Sequence, residues 1–544
     1  MPRFFPTFTA RARRRALRAV AACAALGGVG CMSLDVTNAD TPNVEDVFAN
    51  GVNLENTVGL SFRTLYGVTM GSRTNSSWPV VPIGALAELI TTDLAIAWEL
   101  IQEPRVPFNN VDPGQWTNRK PWYDLYEVIA TATDALRALD RGVRVGVVNA
   151  ASPSGADTPR ARVWSRFMLG ASQVYLGIYF DKAFATDETS DLSFLQGEIQ
   201  PGQFPLEFTP YRAMAAFGVR QLEQAVAEAR RAPTNFTLPL EWVNQQTINR
   251  DELVRILNGY IVRGLVYWAR TPQERAQVDW NKVLELTAPG NVITRDFSVL
   301  ADVTKSGTVS TWLQYTQLQT DARADNMLIG PSDTSGTYQR WLQTPFEQRT
   351  EIQVRTPDRR IHGAGGPNTN GKYFGQPTDA RGTYVQTMRT GRGTTIFSRY
   401  RGIRYGTQHF QIGQIPVMSP VEMDLLRAEA FLRLGRPADA VPLINRTRVA
   451  NGELPPVTVN GTGSLPACVP RKDDGSCGDL MDAMLYEKRI ELQSVEPILH
   501  WADWRAFGKL QRGSMMQFPI HGRELQVLGL PIYTFGGSNP GSAP

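Results

Sequence analysis

From Tyr211 to Ala229 the residues Tyr211, Met214, Ala215, Gly218, Leu222, Ala225, Val226 and Ala229 recur at spacings of three and four. A period near 3.6 gathers them on one face of an α-helix, and such a face is stable only when buried against another element. Comparable patterns run over about 51–67, 80–101, 119–140, 160–180, 250–270, 278–288, 420–434, 437–450 and 479–495. The chain is therefore expected to be mainly α, with Trp164 and Trp268 on buried stripes.

Several segments read as helix pairs joined by short turns, most explicitly between Pro420 and Asn451. The first helix of that pair ends at Leu434-Gly435. Pro437 opens the second at a position where its missing N–H costs nothing, and Ala438-Asp439-Ala440 puts small residues where two helices approach. The pair resembles a tetratricopeptide unit, which buries a core only by stacking on its neighbours. Segments 160–231 and 250–288 follow the same plan more loosely.

Between about 290 and 417 the periodicity fails, and Gly, Thr, Asn, Arg and Gln dominate, as in Gly363-Ala364-Gly365-Gly366-Pro367-Asn368. Long stretches without strong elements are usually functional or disordered. The aromatics spread through this one (Trp312, Tyr315, Tyr338, Trp341, Tyr373, Phe374, Tyr384) argue against disorder, which is aromatic-poor. An ordered, loop-rich lobe with short strands is expected. No Pro/Ser linker divides the chain, so residues 51–544 read as one unit, with helical repeats at about 51–290 and 418–510.

The first thirty residues differ from the rest. They hold Arg3, Arg11, Arg13, Arg14, Arg15 and Arg18, no acid, and a twelve-residue apolar run from Ala19 to Gly30. A spanning helix needs about 20 apolar residues, so 1–30 reads as a secretory signal. Val29-Gly30-Cys31 then looks like a bacterial lipoprotein cleavage site, with Cys31 receiving diacylglycerol and acyl chains such as palmitate, and 31–50 forming a tether. Gly28 stands where leucine is usual, Cys23 is a poorer second choice, and ordinary signal cleavage would leave a soluble chain.

Loss of those six arginines takes 56 basic residues to 50 against 52 acidic ones, and the net charge from +4 to −2. A nucleic-acid role loses its electrostatic basis. His362, His409, His500 and His521 have no metal-ligand spacing; no metal or cofactor is expected. Cys468 and Cys477 flank a short loop and, in an oxidising setting, read as a local disulfide worth at most about 3 kcal/mol; free thiols are the alternative.

Two C-terminal blocks carry a resemblance. Leu426-Arg427-Ala428-Glu429-Ala430 through Gly435, with Asn445 and Arg448, is similar to the R-A-E-A-x-x-x-x-G and N-x-x-R helices of the SusD/RagB family. Glu487-Lys488-Arg489-Ile490-Glu491-Leu492 and His500-Trp501-Ala502-Asp503-Trp504-Arg505 resemble its E-R-R-x-E-L and R-W-x-D-L-x-R signatures. This chain has two extra residues between Glu491 and Trp501, Pro497 for a glycine and His500 for an arginine; the helices are expected to persist. Weaker agreement at Leu34-Asp35, Thr92-Asp93 and Trp122–Ile129 extends the resemblance over nearly the whole mature chain.

The resemblance implies a SusD-like fold with tetratricopeptide-like pairs and a loop-rich ligand-binding lobe. It also implies a lipid-anchored protein at the outer-membrane surface, acting as a lid on a SusC-type TonB-dependent transporter. Such proteins bind oligosaccharides or other large nutrients and are not enzymes. A surface glycoside hydrolase and a tetratricopeptide-type protein-binding scaffold are the alternatives.

Glu487 and Glu491, four apart on one helical face, could suggest catalytic carboxylates. An ion-pair network with Lys488, Arg489 and Arg505 is the preferred reading. Asp473-Asp474-Gly475 lacks the spacing of a calcium loop and reads as a solvated turn. For a sugar ligand the useful side chains are flat aromatics in Gly/Asn/Ser-rich surroundings, whose rings stack on C–H faces. The candidates are Trp78, Trp116, Trp312, Tyr315, Tyr338 and Trp341.

Overall fold

Helix ends follow the capping chemistry of the sequence. The computed structural model describes residues 44–71, 94–96, 110, 116–149, 152–196, 204–243, 246–302, 322–345, 348–381, 383–385, 398–405, 412–493, 495–496, 498–510 and 514–533. Its longer helices are α1 (Gly51–Met70), α2 (Trp116–Asp140), α3 (Thr158–Tyr179), α4 (Tyr211–Arg231) and α5 (Arg250–Val266). They continue with α6 (Trp280–Leu286), α7 (Pro420–Arg433), α8 (Pro437–Ala450), α9 (Leu480–Glu491) and α10 (Ile498–Ala506). Asn249 and Glu252 form a reciprocal capping box on α5, and Asp479 and Asp482 do so on α9. Proline opens both α7 and α8, and Gly435 makes the turn between them at φ 70°.

Residues from Phe48 onward form one compact unit; Met1–Val47 form another, of which only the start of the helix Val44–Ala49 is described. In the larger unit each helix packs on the next from α1 to α5, and α7, α8 and α9 pack on one another. Trp164 and Trp268 are buried, as expected. The α3–α4 contact is close because glycines meet there. A Cβ on Gly218 would stand 2.7 Å from the Gly170 carbonyl oxygen and the Val174 nitrogen, and one on Gly177 would stand 2.6 Å from the Ala215 nitrogen. Gly218→Ala should gain about 1 kcal/mol of helix propensity yet lose more, about 1–3 kcal/mol, by forcing two backbones apart. A urea midpoint at or above that of the native chain would contradict this.

One helix expectation is corrected. Within 80–101 the described residues Leu94–Ile96 form a strand, β1, antiparallel to β3 (Ala322–Ala324); the remainder lies outside the described residues. A short apolar run suits a strand as well as a helix, and only pairing decides. In the loop-rich stretch, β2 (Phe297–Asp302) pairs antiparallel with β4 (Ile412–Met418). Ala324, Leu328, Ile329, Val354, Ile361, Phe374 and Tyr400 join Tyr486 and Ile490 of α9 in a separate apolar cluster. The lobe is thus ordered around its own core, seated on α9.

Candidate ligand-binding cleft

The acids of the two C-terminal motifs sit in buried, arginine-centred clusters that hold the cleft-bearing helices. Glu487 and Glu491 both face Arg360 of the loop-rich lobe, at 2.6 and 2.9 Å, and Arg360 also grips Asp358 at 2.7 Å. The ion-pair reading is right in kind, but its partners need correction. Adjacent residues on a helix point about 100° apart, so Lys488 and Arg489 turn away from Glu487, and Arg360 takes both carboxylates. Lys488 instead reaches Asp503 at 2.8 Å, Arg489 lies over the Trp504 ring at 4.1 Å, and Arg505 donates to the carbonyls of Ile178, Tyr267 and Met516. Glu429 and Asp503 share Arg275, while Arg263 bridges Glu422 and Glu496. Burial pushes Glu487 above the ordinary carboxylate range despite Arg360, whereas at Asp358 burial is outweighed and Arg360 holds the carboxyl low.

These clusters fix one wall of a cleft of about 560 Å³ between α9, α10, the 327–338 segment and the loop closed by Cys468 and Cys477. Cys468 and Cys477 are joined, with Cα atoms 5.7 Å apart, and the Arg471 N–H donates to the Pro331 carbonyl, tying this loop to the lobe. Trp504 of α10 is half-buried in the wall. Lys472 and Lys509 reach opposite oxygens of Asp482 at 3.2 and 3.4 Å. Burial would raise Asp479, but the Asp482 N–H and Lys472 bring its carboxyl below the usual range. Asp474 accepts from the Ser476 N–H and hydroxyl, making the turn that the sequence suggested.

Of the aromatics singled out in the sequence, Trp78, Trp312 and Tyr315 lie outside the described residues, as does Cys31; Trp116 opens α2, but its side chain is not described. Tyr338 and Trp341 stack on each other with centroids 6.0 Å apart and are only 1% and 4% exposed. Tyr338 reaches the cleft wall, and a Cβ on Gly330 would strike its ring. Trp341 is covered by Arg349 at 4.6 Å and donates its indole N–H to Thr350. Both rings are thus spent on internal packing, because a polar, glycine-rich neighbourhood in sequence does not fix exposure. Trp504 was missed as a ligand candidate; inside a helical motif it looks like any core tryptophan.

Among the described residues no helix is long and apolar enough to cross a membrane, and no three metal-ligating side chains cluster. No family model and no curated protein matches the chain. Solved structures do. A SusD superfamily protein from Parabacteroides distasonis aligns with TM-score 0.55 at 12% identity, over 90% of this chain and 98% of its own. One from Bacteroides vulgatus aligns with TM-score 0.50 at 11% identity, over 85% and 89%. A SusD-like carbohydrate binding protein, also from Bacteroides vulgatus, aligns with TM-score 0.48 at 14% identity, over 83% and 82%. The chain therefore has the fold of the SusD superfamily.

Proposed function

We propose that this chain is a binding protein, not an enzyme, that captures an oligosaccharide or similar nutrient at the cell surface for a partner SusC-type TonB-dependent transporter. The observation that carries the reading is the SusD-superfamily fold across nine-tenths of the chain. The leader over 1–30, the lipid at Cys31 and the tether over 31–50, whose last residues from Phe48 onward already join the compact unit, belong to the same proposal, as does nutrient contact through Trp78, Trp116, Trp312 and Tyr315. Supporting it, the cleft mixes one half-buried indole with paired charges, a lining suited to holding a hydroxyl-rich ligand.

Detergent-solubilised outer membranes should yield the protein together with a large β-barrel partner, and protease added to intact cells should reach it. Recovery without any barrel would sink the transporter part. Incubation with polysaccharides should release no new reducing ends; release would favour a hydrolase.

A further inference from the structure

We infer that the cleft between α9, α10 and the disulfide loop is a saccharide site selective for neutral over acidic sugars. Apart from Tyr338, it is built from residues other than the aromatics that the sequence singles out. The inference deepens the capture reading and rests on it.

The cleft volume, about 560 Å³, falls within the range of about 300–1,000 Å³ typical of small-molecule sites. Arg489 lies 4.1 Å from the Trp504 ring and donates to the Met327 carbonyl, so the indole is held in place. A fixed flat ring offers stacking area to a pyranose C–H face with little rotamer entropy left to lose.

The cations around it already hold partners. Lys472 and Lys509 share Asp482, and Lys472 also reaches Asp479 at 3.4 Å. Arg471 gives its guanidinium to the carbonyls of Thr334 and Pro466. Such pairs can still donate to and accept from hydroxyls at their open sides, since Lys472 and Lys509 are 40% and 42% exposed. A uronate would have to displace a carboxylate or carbonyl partner from one of the four lining cations, Arg471, Lys472, Arg489 and Lys509, and would stand beside Asp473, Asp479 and Asp482. A neutral ring meets neither obstacle.

Calorimetric titration of the full chain with neutral hexasaccharides of glucose, xylose or mannose, and with hexagalacturonate, tests this. At least one neutral hexasaccharide should bind, with hexagalacturonate at least tenfold weaker. Trp504→Ala should weaken that binding about threefold to tenfold or remove one site from the stoichiometry. Lys509→Ala, at a solvent-facing position, should weaken it with an unchanged melting temperature, which covers the case of a misfolded Trp504 variant. Native binding by both variants, with loss only in Trp78→Ala or Trp312→Ala, overturns the inference and leaves capture standing. Equal affinity for hexagalacturonate overturns the selectivity, and no binding by the native chain overturns both readings.

Discussion

Arg360→Ala should cost about 3–5 kcal/mol of stability at pH 7, the scale for removing one partner from a buried pair. Asp358, Glu487 and Glu491 are all fully buried around that guanidinium. Without it, Glu487 keeps Arg448 at 3.7 Å and Glu491 keeps Arg404 at 3.8 Å, both longer than the lost contacts. The deficit should also depend on pH. In the native chain Arg360 holds Asp358 low against burial. A lowered carboxyl stabilises above its unfolded pKa, about 3.9, and that contribution fades as pH falls through the lowered value. Glu487, raised by burial, has the opposite sign: its contribution is largest at low pH and is lost as pH rises through the raised value. In the variant Asp358 joins Glu487 in this second class, because burial remains and the cation is gone. Urea denaturation should therefore show the deficit shrinking from pH 7 to pH 5. A deficit constant over that interval would mean that the guanidinium acts by packing alone.

The same cluster shows where sequence reading stops. Helix α4 was legible because its stripe has one period, and α7 and α8 because proline and Gly435 mark their ends. The expected helix over 479–495 stops at Glu491, and a further helix, α10, persists past Pro497 and His500 despite the departures from the family pattern. Long-range pairing was not legible. Arg360 is 127 residues from Glu487, inside a stretch with no period to place it, so the sequence points only to the cations nearest along the chain. The cleft was illegible for the same reason: it needs the disulfide loop, the 327–338 segment, α9 and α10 together. Composition could say that the lobe was aromatic and ordered, but not which rings its own core would consume.

The cluster at Arg263 permits a sharper test of what such buried charge contributes. Arg263 clasps Glu422 through two hydrogen bonds, meets Glu496 at 2.6 Å and donates to the Val417 carbonyl, while the Tyr175 hydroxyl donates to Glu496. Arg263→Met alone leaves two buried carboxylates without their cation and should cost about 3–5 kcal/mol. Adding Glu422→Leu and Glu496→Leu removes the stranded charges, and apolar replacement of a whole buried cluster is often neutral or stabilising by about 1–4 kcal/mol. Here three polar atoms would remain stranded, the Tyr175 and Tyr267 hydroxyls and the Val417 carbonyl, at about 1–3 kcal/mol each. The triple variant should thus recover only part of the loss, and Tyr175→Phe on top of it should recover more. If the triple variant is no more stable than Arg263→Met, desolvated charge is not the dominant cost. The bidentate geometry joining α5 to α7 would then be what the fold requires of these residues.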